Sequence, residues 1–154
     1  MGFSLEHSFL VKAPADRVWA FLIDPTRVAS ALPGASITEK VSDDKYNGTI
    51  TVKVGPVSAR YKGSVRFEAL DAAARTAKIV GSGQDTGGRG GADLRMSSRL
   101  LERSPQETEV SLTSEVNVTG ILAQLGRGMI QDVSNQMMGR FTEAMRAQLE
   151  TAPA

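Results

Sequence analysis

Residues 121–149, ILAQLGRGMIQDVSNQMMGRFTEAMRAQL, place Leu122, Leu125, Met129, Ile130, Val133, Met137, Phe141, Met145 and Leu149 at helical spacing. A helix over all about 29 positions would be roughly 43 Å long at 1.5 Å per residue. It is the one long helical pattern in the chain, and the residues before it decide the fold. From about Ser36 to Val118 the pattern is strand after strand. Ser36 to Val41 is one strand. After Asp43-Asp44, Ile50, Val52 and Val54 alternate with Thr49, Thr51 and Lys53. Gly55-Pro56 is a hairpin turn. Val57, Ala59, Tyr61, Gly63, Val65 and Phe67 then share one face, with Ser58, Arg60, Lys62, Ser64, Arg66 and Glu68 on the other. Thr76 to Val80 reads as a short strand. Ala92, Leu94, Met96, Ser98 and Leu100 make the next inward face, and Val110, Leu112, Ser114, Val116 and Val118 the last.

Upstream of these strands, Phe3, Leu5, His7, Phe9 and Val11 alternate with polar residues, Leu10 excepted, as in a half-buried strand. Pro14 opens a short helix carrying Val18, Trp19, Phe21 and Leu22. Asp24-Pro25 opens a second, as cap and first helical residue, which ends at Pro33-Gly34. Six consecutive hairpin-like strands imply an antiparallel sheet with one apolar face. Only the long helix is available to cover that face. The expected fold is therefore α+β: a curved seven-stranded antiparallel sheet around a long C-terminal helix, with two short helices after the first strand. A sheet curled around one helix rarely fills its interior, so a cavity is expected. Residues 1–150 are expected to form a single domain, and 151–154 a short polar tail.

Composition narrows the chemistry. The 154 residues include no cysteine and one histidine, His7. Disulfides, thiolate metal sites and cysteine nucleophiles are excluded. The usual transition-metal sites cannot be built, so no metal and no cofactor is expected. Eighteen basic and 17 acidic residues leave a net charge of +1, with no global field for nucleic acid. No apolar run approaches the ~20 residues of a membrane span. The N-terminus has neither the basic nor the apolar region of a signal peptide, so a cytoplasmic location is expected.

Six glycines fall within Gly81 to Gly91. This segment lacks the lysine and following helix of a phosphate-binding loop. It reads as a flexible connection between strands, placed to gate a cavity entrance. His7, Tyr61, Ser98 and Ser114 are polar groups on inward faces, and each needs a hydrogen-bond partner if buried. No acidic residue is expected on an inward strand face, which disfavours acid–base catalysis. Lys53, Arg60, Lys62, Arg66, Lys78, Arg95 and Arg99 dominate the outward faces of the middle strands, against Glu68 and Asp93. Glu109, Glu115 and Glu6 lie on the last and first strands.

Ala13-Pro14, Val18-Trp19, Leu22, Asp24-Pro25 and Leu32-Pro33-Gly34 form an ordered set of landmarks. Val54-Gly55-Pro56-Val57, Tyr61-Lys62-Gly63 and Phe67 come next, then Gly81-Ser82-Gly83, then Leu122-Ala123-Gln124-Leu125-Gly126 leading to Phe141. In this order, over about residues 3 to 149, they resemble the carbon monoxide dehydrogenase G-subunit family of the START-like (SRPBCC) superfamily. The resemblance implies a helix-grip fold with a hydrophobic cavity. It also implies a non-catalytic accessory protein of a molybdenum hydroxylase of the carbon monoxide dehydrogenase type, linking that enzyme to the cytoplasmic membrane and the quinone pool.

The residues and the resemblance together set the expectations. No catalytic residue is assigned. An apolar ligand such as a quinone or lipid is expected to contact His7, Phe9, Tyr61, Met96, Ser98, Leu112, Met129, Val133 and Met137. Arg60, Lys62, Arg66, Arg95 and Arg99 are the expected partner or membrane surface, any membrane contact being weak, peripheral and salt-sensitive. The alternatives are a cyclase or hydratase using the same cavity with His7 and Tyr61 as acid–base groups, and a maturation factor whose cavity is incidental.

Overall fold

The computed structural model describes residues 2–150; the tail expected over 151–154 lies outside them. The chain begins with strand β1 (Gly2–Val11), then helices α1 (Ala15–Leu22) and α2 (Pro25–Ala31). Six strands come after: β2 (Ala35–Lys40), β3 (Lys45–Val54), β4 (Val57–Asp71), β5 (Thr76–Asp85), β6 (Gly91–Ser104) and β7 (Glu107–Val118). A 3-10 turn (Ala123–Leu125) leads into helix α3 (Arg127–Glu150). The sheet order is β1-β7-β6-β5-β4-β3-β2, and every neighbouring pair is antiparallel. The α+β arrangement expected from the pattern, seven strands with one long C-terminal helix, is the one observed; the sheet remains open.

The local signals act as their chemistry dictates. Asp24 caps α2, its Oδ1 accepting from the backbone N–H of Thr26 (3.1 Å) and Arg27 (3.4 Å). Pro14 sits at the N-cap of α1 in extended conformation. Along β1, Phe3 and Val11 are buried and Leu5, His7 and Phe9 half-buried, whereas the alternate residues are exposed. Thr108, fully buried, donates from Oγ1 to the Ala13 carbonyl at 2.9 Å and fixes the chain where β1 gives way to α1.

Two expectations need correction. The helix does not run from residue 121. Gly126 has φ +87°, a left-handed conformation that no right-handed helix accommodates, so the helical pattern breaks there. Leu122 and Leu125 belong to the preceding turn, and α3 has 24 residues, roughly 36 Å. The glycine-rich segment is not a flexible connection either. Gly81 to Asp85 continue β5 in register with β4 and β6, leaving only Thr86–Gly90 as a turn. Gly48, Gly63 and Gly83 are successive cross-strand partners on β3, β4 and β5. A row without side chains lets these strands approach closely, and this is the physical use of glycine here.

The core is divided. One cluster joins Val11, Val18, Phe21, Leu100, Val110 and Leu112 to Phe141, Met145 and Leu149 of the C-terminal half of α3. The Phe21 and Phe141 rings lie 6.3 Å apart. The other cluster joins Phe3, Val54, Ala59, Tyr61 and Val118 to Leu122, which precedes α3, and to Ile130 near its start. The far end of α3 is tied to the first cluster's side by Arg146 Nε donating to the Leu10 carbonyl (3.0 Å) and the Lys12 N–H donating to Glu150 Oε2 (2.7 Å).

Candidate ligand-binding site

Between the two clusters lies a strip of the inward sheet face that neither claims. Val65, Ile79 and Leu94 alternate inward on β4, β5 and β6 and are only half-buried, as is Met137 on α3. Gly63, Gly81 and Gly83 add bare backbone to the same strip. Apolar side chains that stay half-exposed on an inward sheet face retain open surface for an apolar molecule.

Five of the nine expected ligand contacts belong to one or other of the clusters that flank this strip and not to the strip itself. Leu112 is buried in the first cluster, with Phe9 and Met96 half-buried against it. Tyr61 is buried in the second, with Val133 half-buried against it. Ser98, half-buried, is the cross-strand partner of Leu112, which in turn pairs with His7. Met129 is 47% exposed at the first turn of α3 and is the most open of the set. Thus the structure groups Phe9, Met96 and Leu112 with the C-terminal half of α3, and Tyr61 and Val133 with its beginning.

Two polar atoms stand out. His7 Nε2 lies 3.0 Å from Asn135 Oδ1, joining β1 to α3, but its Nδ1 is buried with no hydrogen-bond partner among the described residues. The Tyr61 hydroxyl is likewise buried and unpartnered. Burial, and then the nearby Asp85 charge, raise the Tyr61 pKa, with Arg89 opposing. Tyr61 therefore keeps its proton at neutral pH and can donate to a ligand oxygen. An orphaned hydroxyl costs about 1–3 kcal/mol, and a ligand carbonyl would relieve that cost.

An acidic residue does lie on the inward face, contrary to expectation. Asp85 is buried, as the cross-strand partner of Tyr61. The alternation Ala77, Ile79, Gly81, Gly83, Asp85 is the signal for it, and a strand ending at Val80 leaves it out. Its carboxylate accepts from Arg89 Nε (2.8 Å), Arg89 Nη2 (3.2 Å) and the N–H groups of Gly87 and Arg89 (both 3.1 Å). Arg89 Nη2 also donates to the Ser58 carbonyl at 2.9 Å. The turn is thus built around one carboxylate.

The Arg89 side-chain bond holds the Asp85 carboxyl at about 2, below its ordinary 3.8, against the opposing effect of burial. A depressed folded pKa contributes stability that is complete above the unfolded value and lost as pH falls from about 4 to about 2. Urea unfolding followed by circular dichroism should show wild type losing this contribution over that window. Asp85→Asn should be less stable at pH 7 and converge on wild type as the pH falls to about 2. Parallel curves for the two proteins across that window would contradict the assignment.

Two recesses lie on the opposite, outer face. One of about 220 Å³ is lined by Glu68, Lys78, Arg95, Ser97, Thr113 and Glu115, and one of about 530 Å³ by Lys45, Ser64, Arg66, Ser82, Asp93 and others. Of the expected partner surface, Arg60, Lys62, Arg66, Arg95 and Arg99 are all exposed, and Arg95 is bridged to Glu68 at 3.2 Å. Among the described residues no helix is long and apolar enough to cross a membrane, and no group of three metal-ligating side chains occurs.

The family model for the carbon monoxide dehydrogenase G subunit (CoxG) matches residues 8–150. No curated protein matches the chain in sequence. Among solved structures, a conserved protein from Geobacillus kaustophilus superposes with a TM-score of 0.85 at 20% identity, covering 95% of this chain and 94% of that one. The ZhuI aromatase/cyclase from Streptomyces sp. R1128 superposes at 0.72 and 19% identity, covering 97% and 94%. A START superfamily protein from Mycobacterium smegmatis superposes at 0.64 and 12% identity, covering 96% and 97%. These likenesses show a START-like, helix-grip fold.

Proposed function

Because the chain belongs to the carbon monoxide dehydrogenase G-subunit (CoxG) family, we propose that it is an accessory binding protein, not a catalytic subunit, and that its concave face takes up an apolar ligand bearing a carbonyl oxygen. A quinone is the favoured ligand and a lipid the other. The partner in this reading is a molybdenum hydroxylase of the carbon monoxide dehydrogenase type, which the ligand-loaded protein links to the membrane. The observation that carries the proposal is the Tyr61 hydroxyl, buried and unpartnered at one end of a half-buried apolar strip.

The cyclase or hydratase alternative would need a group poised to exchange protons near neutral pH. Asp85, the acid that pairs with Tyr61 across the strands, is ionised and committed to Arg89. That argues for binding over turnover, even though the fold also serves the ZhuI aromatase/cyclase.

Tyr61→Phe tests the reading because it separates two effects. Removing an orphaned hydroxyl should leave the ligand-free protein as stable or slightly more stable in thermal melts. Losing the donor should weaken a short-chain quinone by roughly five- to tenfold in calorimetric titration, the value of about one net hydrogen bond. Unchanged affinity would remove Tyr61 from the site.

A further inference from the structure

The β3–β4 ribbon presents a second feature, on the other side of the sheet from the half-buried apolar strip. Its outward residues pair across the ribbon as Lys53 with Ser58, Thr51 with Arg60, Thr49 with Lys62, Asn47 with Ser64, and Lys45 with Arg66. Every rung except Asn47–Ser64 carries a cation, the last carries two, and none carries an acid. None of these five cations forms an ion pair among the described residues, although the sheet elsewhere pairs Arg95 with Glu68 and Arg103 with Glu109. Lys45 and Arg66 face each other directly, an arrangement that destabilises a sheet unless an anion sits between them. All five cations are exposed. The recess of about 530 Å³ begins at Lys45 and Arg66, with Ser64 and Ser82 offering hydroxyls. In a protein of net charge +1 this is a concentrated strip of one sign.

We infer that the outer face of the β3–β4 ribbon docks an extended acidic segment of a partner protein. Successive rungs on one face are roughly 7 Å apart, and the ribbon from Lys53 to Lys45 spans roughly 27 Å. An extended chain with a carboxylate at every second residue repeats at the same interval. The Thr49, Thr51, Ser58 and Ser64 hydroxyls between the cations supply hydrogen bonds to its backbone, whereas Asn47 Nδ2 already donates to Glu39 Oε2 on β2 at 3.5 Å. A membrane surface fits less well. It is a broad plane of negative charge, and laid across this face it would also press on Asp93 on β6 and Glu115 on β7, which line the same recess. Between Lys45 and Arg66 the ribbon also offers no exposed large apolar side chain to insert. A narrow acidic strip meets the cations and avoids those acids. The docking surface rests on the accessory-protein reading and gives that protein's partner a chemistry, but it is independent of what the inner face binds.

Fluorescently labelled poly-L-glutamate of about 20 residues, roughly 66 Å when extended and so longer than the ~27 Å of the ribbon, is the probe, read by anisotropy. Binding at low salt should weaken at least about tenfold in the triple variant Arg60→Glu/Lys62→Glu/Arg66→Glu, the loss of several charge contacts. It should also be largely lost at about 0.5 M salt, where screening shortens well below the ~10 Å of 0.1 M. Lys62→Glu alone should weaken it measurably, and Arg140→Glu, on the exposed side of α3, should not. Circular dichroism checks the fold, and an unchanged quinone titration in the triple variant shows that the inner face is untouched. The inference is overturned if wild type does not bind the peptide at low salt, or if Arg140→Glu weakens binding as much as Lys62→Glu. It is also overturned if vesicles of phosphatidylserine and phosphatidylcholine bind as tightly as the peptide and lose as much in the triple variant.

Discussion

Gly63→Ala should destabilise the protein by about 3 kcal/mol, the upper part of the range for overpacking, although it adds a single methyl group. A Cβ at this position would collide with the Ser82 carbonyl oxygen and lie 2.6 Å from the Gly83 Cα. Both are backbone atoms of the neighbouring strand, so no rotamer change relieves the clash. The substitution should separate β4 from β5 between Tyr61 and Val65. Gly139→Ala supplies the contrast. Gly139 lies within α3 with open space around it, and alanine there should stabilise by up to about 1 kcal/mol through helix propensity. Urea unfolding of the two variants should therefore move in opposite directions. Equal shifts would mean that the glycine row is incidental to the fold.

That row also marks the limit of what periodicity carries. Strands with clean alternation, such as Val57 to Phe67 and Val110 to Val118, are legible because one face is apolar and the period is two. The order of elements and the antiparallel sheet follow from them. Gly81-Ser82-Gly83 carries no hydrophobic contrast, so periodicity has nothing to report there. Its strand character comes from pairing with β4, where Gly83 meets Gly63, a long-range relation between two side-chain-free positions. Asp85 is hidden with it, and so is the turn that it builds. Likewise, Leu122 and Leu125 fit the helical spacing of α3, and only the left-handed backbone of Gly126 separates them from it. At the site, inward-facing residues such as Tyr61 and Leu112 are identifiable from strand parity. Parity does not say which of them share a cluster, because that depends on how α3 crosses the sheet. The division of Phe9, Met96 and Leu112 from Tyr61 and Val133 is a tertiary fact.

Val133→Trp should remove ligand binding while the protein stays folded. Val133 is half-buried on α3 beside the Tyr61 cluster, so a larger ring can extend into the open strip without entering a sealed core. Filling the strip denies the ligand its apolar contact. Displacing about 120 Å² of that contact at ~25 cal/mol per Å² costs about 3 kcal/mol, or roughly 100-fold in affinity. Reversal of charge at Lys62, on the outer face, should change affinity for the same ligand far less, because an apolar ligand is not held by surface charge.

The measurement closest to the central claim is a calorimetric titration of a short-chain quinone, and separately of palmitate, into wild type and Val133→Trp, with circular dichroism of both proteins. Saturable binding of the quinone or the fatty acid by wild type is predicted, weakened roughly 100-fold in the variant with an unchanged spectrum. Equal binding by both proteins, or no binding of either compound by wild type, would contradict a ligand-binding role for the concave face.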